Sequence, residues 1–154
     1  MTAYSFKAQF VQPILDGTKT GTIRGIGKKR HARPGEKVQL YIGMRTKHCQ
    51  RIAEFDCVRT NEIELDLTRV CVPWLPTGGL VSNGVPIDGK SARDEFARAD
   101  GFKDFEALID FWLLNHGAIH FRGVHIIWRH EPQALNGSLP GHPAKGPRPN
   151  RSSS

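Results

Sequence analysis

Lys19, Thr22 and Arg24 stand within the octapeptide Gly17-Thr18-Lys19-Thr20-Gly21-Thr22-Ile23-Arg24, which carries two cations and three hydroxyls between flexible glycines. Glycine lets a backbone turn tightly and approach a ligand closely. Lysine supplies a compact charge and arginine a planar five-donor fork, a pairing suited to an anionic or carbonyl-rich ligand. A hydroxyl beside them can bind, or can attack when a base activates it. The same eight residues also describe a turn followed by a half-buried strand with solvated cations.

The charge around this stretch is unevenly spread. Residues 19–51 hold ten Lys and Arg (Lys19, Arg24, Lys28, Lys29, Arg30, Arg33, Lys37, Arg45, Lys47 and Arg51) against the single acid Glu36. That segment carries +9 of a total +7, so the rest of the 154-residue chain is slightly acidic. Localised basicity of this kind points to a polyanionic partner, nucleic acid being the commonest, and equally describes a solvated basic face. Lys28, Lys29, Arg30, Arg33, Arg45 and Lys47 are the candidate ligand-binding cations, with Arg24 and the Gly21 backbone nearer the presumed centre.

Cys49, Cys57 and Cys71 form no C-x-x-C pair, so neither a disulfide framework nor a zinc site is expected, and no cofactor is implied. No run of 18 apolar residues occurs and the N-terminus lacks the apolar core of a secretory signal, so a cytoplasmic protein without a membrane partner is expected.

The elements that must position these residues follow from periodicity. Residues 4–10 suit an opening strand, and Val11 to Asp16 a short helix with Pro13 in its first turn and Gly17 as its stop. Thr20 to Arg24 is β-prone, and the glycine- and lysine-rich run from Gly25 to Gly35 is a basic loop ending in a Pro-Gly turn. Val38, Leu40 and Ile42 alternate on one face of a strand. Two further strands are expected, Cys49 to Thr60 and Ile63 to Leu67. Prolines and glycines punctuate residues 69–90, where Trp74 is expected to pin an ordered loop and Asn83-Gly84 to close a hairpin. Ser91 is expected to cap one helix and Asp104 the next, in which Phe105, Leu108, Ile109 and Trp112 share a face. Val124, Ile126 and Trp128 then mark a closing strand. Beyond Glu131 the chain turns to Pro, Gly, Ser and basic residues and is expected to be a disordered tail, giving a domain over 1–130 and a tail over 131–154. The sum is an α+β domain, strand-dominated, with two to three helices flanking a small barrel or curved sheet.

The order of a phenylalanine-rich strand, Gly-x-Lys-x-x-Thr-Ile-Arg, Pro34-Gly35-Glu36-Lys37-Val38-x-Leu40 and Ala99-Asp100-Gly101-Phe102 resembles the ASCH family across residues 4–129. That resemblance implies a PUA-like β-barrel of about five to six strands. It also implies RNA or a modified nucleoside as partner in a cleft beside the lysine motif. Some family members are metal-independent amidohydrolases of N4-acetylcytidine, and others are described as ribonucleases. The family's catalytic lysine and threonine fall on Lys19 and Thr22. Its glutamate falls on Asp100, one methylene shorter. The roles implied are Lys19 as base, Thr22 as nucleophile with backbone N–H groups near Gly21 facing the oxyanion, and Asp100 as acid/base or substrate anchor.

Overall fold

The computed structural model describes residues 1–68 and 79–131. The Trp74 loop and the tail beyond Glu131 lie outside the described residues. Strand β1 (Thr2–Phe6) leads through a 3-10 turn (Ala8–Phe10) into the short helix α1 (Val11–Asp16). Gly17, at φ 84°, ends α1 in the left-handed conformation that glycine adopts without penalty. Strands β2 (Gly21–Gly25), β3 (Lys37–Ile42) and β4 (Gln50–Asp66) follow. The hairpin β5 (Gly79–Ser82) and β6 (Val85–Pro86) turns at Asn83-Gly84, as its sequence predicts. Helices α2 (Lys90–Ala99) and α3 (Phe105–His116) precede the last strand, β7 (His120–Arg129).

The fold is mixed α+β, with one seven-stranded sheet and three α-helices among the described residues. β4 is its spine. One edge of β4 takes β3 near its start and β5 near its end, while the other takes β7, and β7 carries β2. β1 lies parallel to β3 at the opposite side of the sheet. No ladder joins β1 to β2, so the sheet is open there and the expected closed barrel is not formed. The seam is bridged by a side chain instead: Arg24 Nη2 on β2 donates to the Ser5 carbonyl of β1 at 2.7 Å.

Three local expectations need correction. The strands expected at Cys49–Thr60 and Ile63–Leu67 are one 17-residue strand. A register shift between Cys57 and Arg59 turns the buried face at that point, so the polar residues Arg59 to Glu62 lie in continuous ladder with β7. The opening strand ends at Phe6, because residues 8–10 curl into the 3-10 turn that carries Phe10 inward. Ser91 caps nothing: α2 begins one residue earlier, after Gly89, and Asp94 accepts from Lys90 and from the Phe105 backbone. Asp104 does cap α3, accepting from the Ala107 amide at 2.9 Å.

Core side chains line both faces of the sheet, because the register shift puts Ile63 and Leu65 on the face opposite Val38, Leu40, Ile126 and Trp128. Val38, Leu40, Ile63, Leu65, Ile126 and Trp128 are all buried, and the Trp128 indole stacks on Phe55 with ring centroids 6.1 Å apart. α3 contributes Phe105, Leu108, Ile109 and Trp112, the face its periodicity marks. Among the described residues no helix is long and apolar enough to cross a membrane.

Candidate active site

At the open seam between β1 and β2 lies a cleft of about 410 Å3. β1 and the 3-10 turn supply Phe6 and Phe10, β2 supplies Thr22 and Arg24, the turn after α2 supplies Asp100, and α3 supplies the outer wall. Lys19 stands in the link between α1 and β2, held there by two backbone bonds: its own N–H reaches the Pro13 carbonyl, and the Thr20 N–H reaches the Ala99 carbonyl. That second bond fastens the lysine segment to the end of α2, which is how residues 19 and 100 meet.

Lys19 is 2 % exposed and Asp100 3 % exposed, so both ionisable groups are out of water. Lys19 Nζ donates to the Gly21 carbonyl at 2.8 Å, to the Asp100 carbonyl at 2.5 Å and to Asp100 Oδ1 at 3.1 Å. An ammonium has three donors, and here all three are engaged, an arrangement that suits the charged form. Burial pushes Lys19 below the ordinary lysine range and Asp100 above the ordinary carboxylate range; each partner opposes the other's shift, and Arg24 lowers both. The desolvation acting on both groups favours moving the proton from the ammonium to the carboxylate. The charged form is fixed by three acceptors, and the neutral form would carry an amine lone pair. The rings of Phe10 and Phe6 lie 4.8 and 5.6 Å from Nζ, which adds cation–π attraction to the charged form.

Gly101 makes this packing possible. Its φ is +92°, and a Cβ there would sit 2.8 Å from Lys19 Cδ and 3.2 Å from Phe10 Cδ1. Arg24 is mostly buried, its Cζ 4.8 Å from the Phe6 ring centroid and 5.5 Å from that of Tyr4. Burial lowers its pKa, and Asp100 partly restores it. Its Nε–H is buried without an acceptor among the described residues. The Thr22 hydroxyl lines the cleft and has no hydrogen-bond partner among the described residues.

The cleft thus brings together Lys19, Thr22, Arg24 and Asp100. Gly21 contributes its carbonyl, to Lys19, rather than a donor toward the cleft. No hydrogen bond joins Lys19 Nζ to Thr22 Oγ1, so the expected base–nucleophile contact is not formed. Lys28, Lys29, Arg30, Arg33, Arg45 and Lys47 do not line the cleft. Arg30 is occupied by Glu36, two nitrogens to two oxygens at 2.9 and 2.8 Å, and the Arg33 N–H also binds that carboxylate.

Reading by residue type missed the aromatic walls. Phe6, Phe10, Phe102, Phe111, Trp112 and Phe121 all face the cleft. They are contributed by separate segments whose hydrophobic pattern describes core, and nothing local distinguishes a ring that faces a cleft from one that is covered. His125 was missed too. It is 5 % exposed, packs on Phe96 at 4.8 Å and sits against Gly21 on the face of β2 away from Thr22. A Cβ on Gly21 would come 2.5 Å from its Nε2, which has no hydrogen-bond partner among the described residues. Burial, with smaller contributions from Lys19 and Arg59, lowers His125 to about 4.

Among the described residues no three His, Cys, Asp or Glu side chains gather as a metal site. Neither protein-family models, curated proteins nor solved structures give a match to this chain.

Proposed function

We propose that the protein is an ASCH-like module that binds a modified nucleoside, or RNA presenting one, in the cleft at the β1–β2 seam. What supports this reading is one observation: Lys19, Thr22, Arg24 and Asp100 converge on a half-enclosed cleft walled by aromatic rings, with a buried Arg24 Nε–H left without an acceptor among the described residues. A base needs flat apolar surface and a few polar groups directed at its edge. The rings supply the first, and the Arg24 donor, the Thr22 hydroxyl and the Asp100 carboxylate supply the second. A volume of about 410 Å3 suits one nucleoside better than a stretch of polymer. The PUA-like kinship rests on the Lys-x-x-Thr-Ile-Arg and Pro-Gly-Glu-Lys-Val-x-Leu motifs, which flank the cleft and the start of β3.

A second reading, hydrolysis of an acylated amine such as N4-acetylcytidine, is favoured by the unengaged Thr22 hydroxyl beside the Lys19–Asp100 pair. Transfer of the ammonium proton to Asp100 would free the Lys19 lone pair to accept the proton of Thr22 as its oxygen attacks the carbonyl. The proton held by Asp100 would then pass to the leaving amine. Water would release the acyl group from Thr22 in a second step.

Calorimetric titration with cytidine and N4-acetylcytidine, together with chromatography for released cytidine, tests both readings. Saturable binding without turnover supports the binding module. Turnover that persists in Thr22→Val removes the hydrolytic mechanism, and no binding of either nucleoside at millimolar concentration removes the first reading.

A further inference from the structure

The charges lining the cleft do not cancel, and where the excess sits is informative. Asp100 is the one acid in the lining, and it is matched by Lys19. Lys7 and Arg24 remain, both in the lining, and neither forms an ion pair with Asp100, which Arg24 feels only through space. Lys7 is exposed and follows the last residue of β1, while Arg24 reaches across the seam to Ser5, two residues before Lys7. Arg24 is thus set against β1, and Lys7 is the residue that follows that strand.

Both have donors to spare. Lys7 Nζ spends one of its donors on Asn115 Oδ1, at 2.5 Å, and lies 5.2 Å from the Phe111 ring centroid. Its contacts with α3 hold the ammonium at the rim instead of letting it swing into solvent. Arg24 spends Nη2 on the Ser5 carbonyl, and its buried Nε–H has nothing to donate to among the described residues.

From this we infer that the ligand of the cleft is a nucleoside monophosphate, its phosphomonoester held between Lys7 and Arg24 while the base lies among the rings. The inference rests on the nucleoside reading above and specifies its charge. A phosphomonoester carries about −1.5 to −2 near neutral pH and offers three acceptor oxygens, which matches two cations with free donors. A neutral nucleoside would leave both charges unanswered. A polymer would be expected to engage the exposed cations of residues 28–33, which lie outside the lining.

The test is a set of titrations of the full chain with cytidine, its 5′-monophosphate, its 3′-monophosphate and inorganic phosphate. At least one monophosphate is expected to bind tenfold or more tightly than cytidine, and to outbind inorganic phosphate. Lys7→Gln is expected to shrink that preference to within about twofold, and Lys7→Arg to keep most of it. Arg98→Gln, which removes an exposed cation outside the lining, is expected to leave the preference unchanged. Lys7 is on the surface, so these variants fold; unfolding midpoints measured alongside confirm it. If cytidine and both monophosphates bind equally, the phosphate seat is overturned while the nucleoside reading stands. If Lys7→Gln lowers stability but not the preference, Lys7 serves only α3 and the inference also falls. If none of the four binds, the phosphate seat falls, and N4-acetylcytidine in the same calorimeter decides whether the nucleoside reading falls with it.

Discussion

Removing the Lys19 charge gives a consequence that can be worked through with numbers. In Lys19→Met the Asp100 carboxyl keeps its burial and loses its cation, so it must either remain an isolated buried anion or take a proton from solvent. Protonation sets a ceiling. For a carboxyl with an ordinary value of 3.8, neutralisation at pH 7 costs about 4 kcal/mol. Breaking one partner of a buried ion pair typically costs about 3–5 kcal/mol, in agreement. At pH 4 the ceiling falls below about 1 kcal/mol, because the unfolded chain is then nearly half protonated as well. The Gly21 and Asp100 carbonyls that Lys19 also serves would lose a donor at every pH, at about 1 kcal/mol each. The sign is fixed: a carboxyl raised above its unfolded value destabilises more as pH rises, so the Lys19→Met penalty grows from pH 4 to pH 7. Urea unfolding of the wild type and Lys19→Met at these two pH values measures it, with Lys19→Met/Asp100→Asn as the partner variant. The double variant is expected to lose the pH-dependent part. A penalty that does not change between pH 4 and 7, or one that the double variant keeps, would refute the buried ion pair.

Further outcomes can be checked with the same methods. Gly101→Ala combines a positive φ with a Cβ 2.8 Å from Lys19 Cδ, and is expected to cost about 2–4 kcal/mol in urea unfolding and to weaken nucleoside binding by displacing the lysine. His125, ordinarily near 6.5 and lowered to about 4 in the fold, resists a proton that the unfolded chain accepts. Stability should fall as pH drops from about 6.5 to 4, by up to about 3 kcal/mol, and His125→Gln should flatten that slope; an unchanged slope would discount the buried neutral imidazole. Lys28→Gln/Lys29→Gln should alter cytidine affinity by less than about twofold, because neither residue lines the cleft, and a tenfold loss in calorimetry would relocate the site to the loop.

Much of the architecture was readable where a single period governs a segment. Val38, Leu40 and Ile42 alternate, and β3 spans Lys37–Ile42 as expected. Gly17 stops α1, and Asp104 opens α3. Legibility failed where geometry interrupts the period. The shift between Cys57 and Arg59 exchanges the faces of β4, so the sequence reads as two strands broken after Thr60 where one strand runs through. Whether the sheet closes depends on where β1 and β2 lie relative to each other, and no local pattern encodes that. The site divided along similar lines. Lys19, Thr22 and Arg24 were marked by type and spacing, and Asp100 by resemblance alone. The charge count drew attention to the 28–33 loop, yet Arg30 is spent on Glu36. Lys7, which the +9 segment excludes, is the exposed cation that lines the cleft.

The contacts that gather the cleft bear on the order of events during folding. Lys19 and Asp100 are separated by 81 positions in the chain, and Lys7 and Asn115 by 108. Contacts this distant in sequence must wait until most of the loop entropy between them has been spent, whereas the β3–β4 hairpin can form early. The cleft is therefore a late product of folding. A chain caught part-way would hold its central strands and lack a binding site, so ligand affinity reports completion of the fold more strictly than a secondary-structure signal does. A ligand that occupies the cleft would in turn stabilise only the finished molecule, and by mass action draw the population toward it.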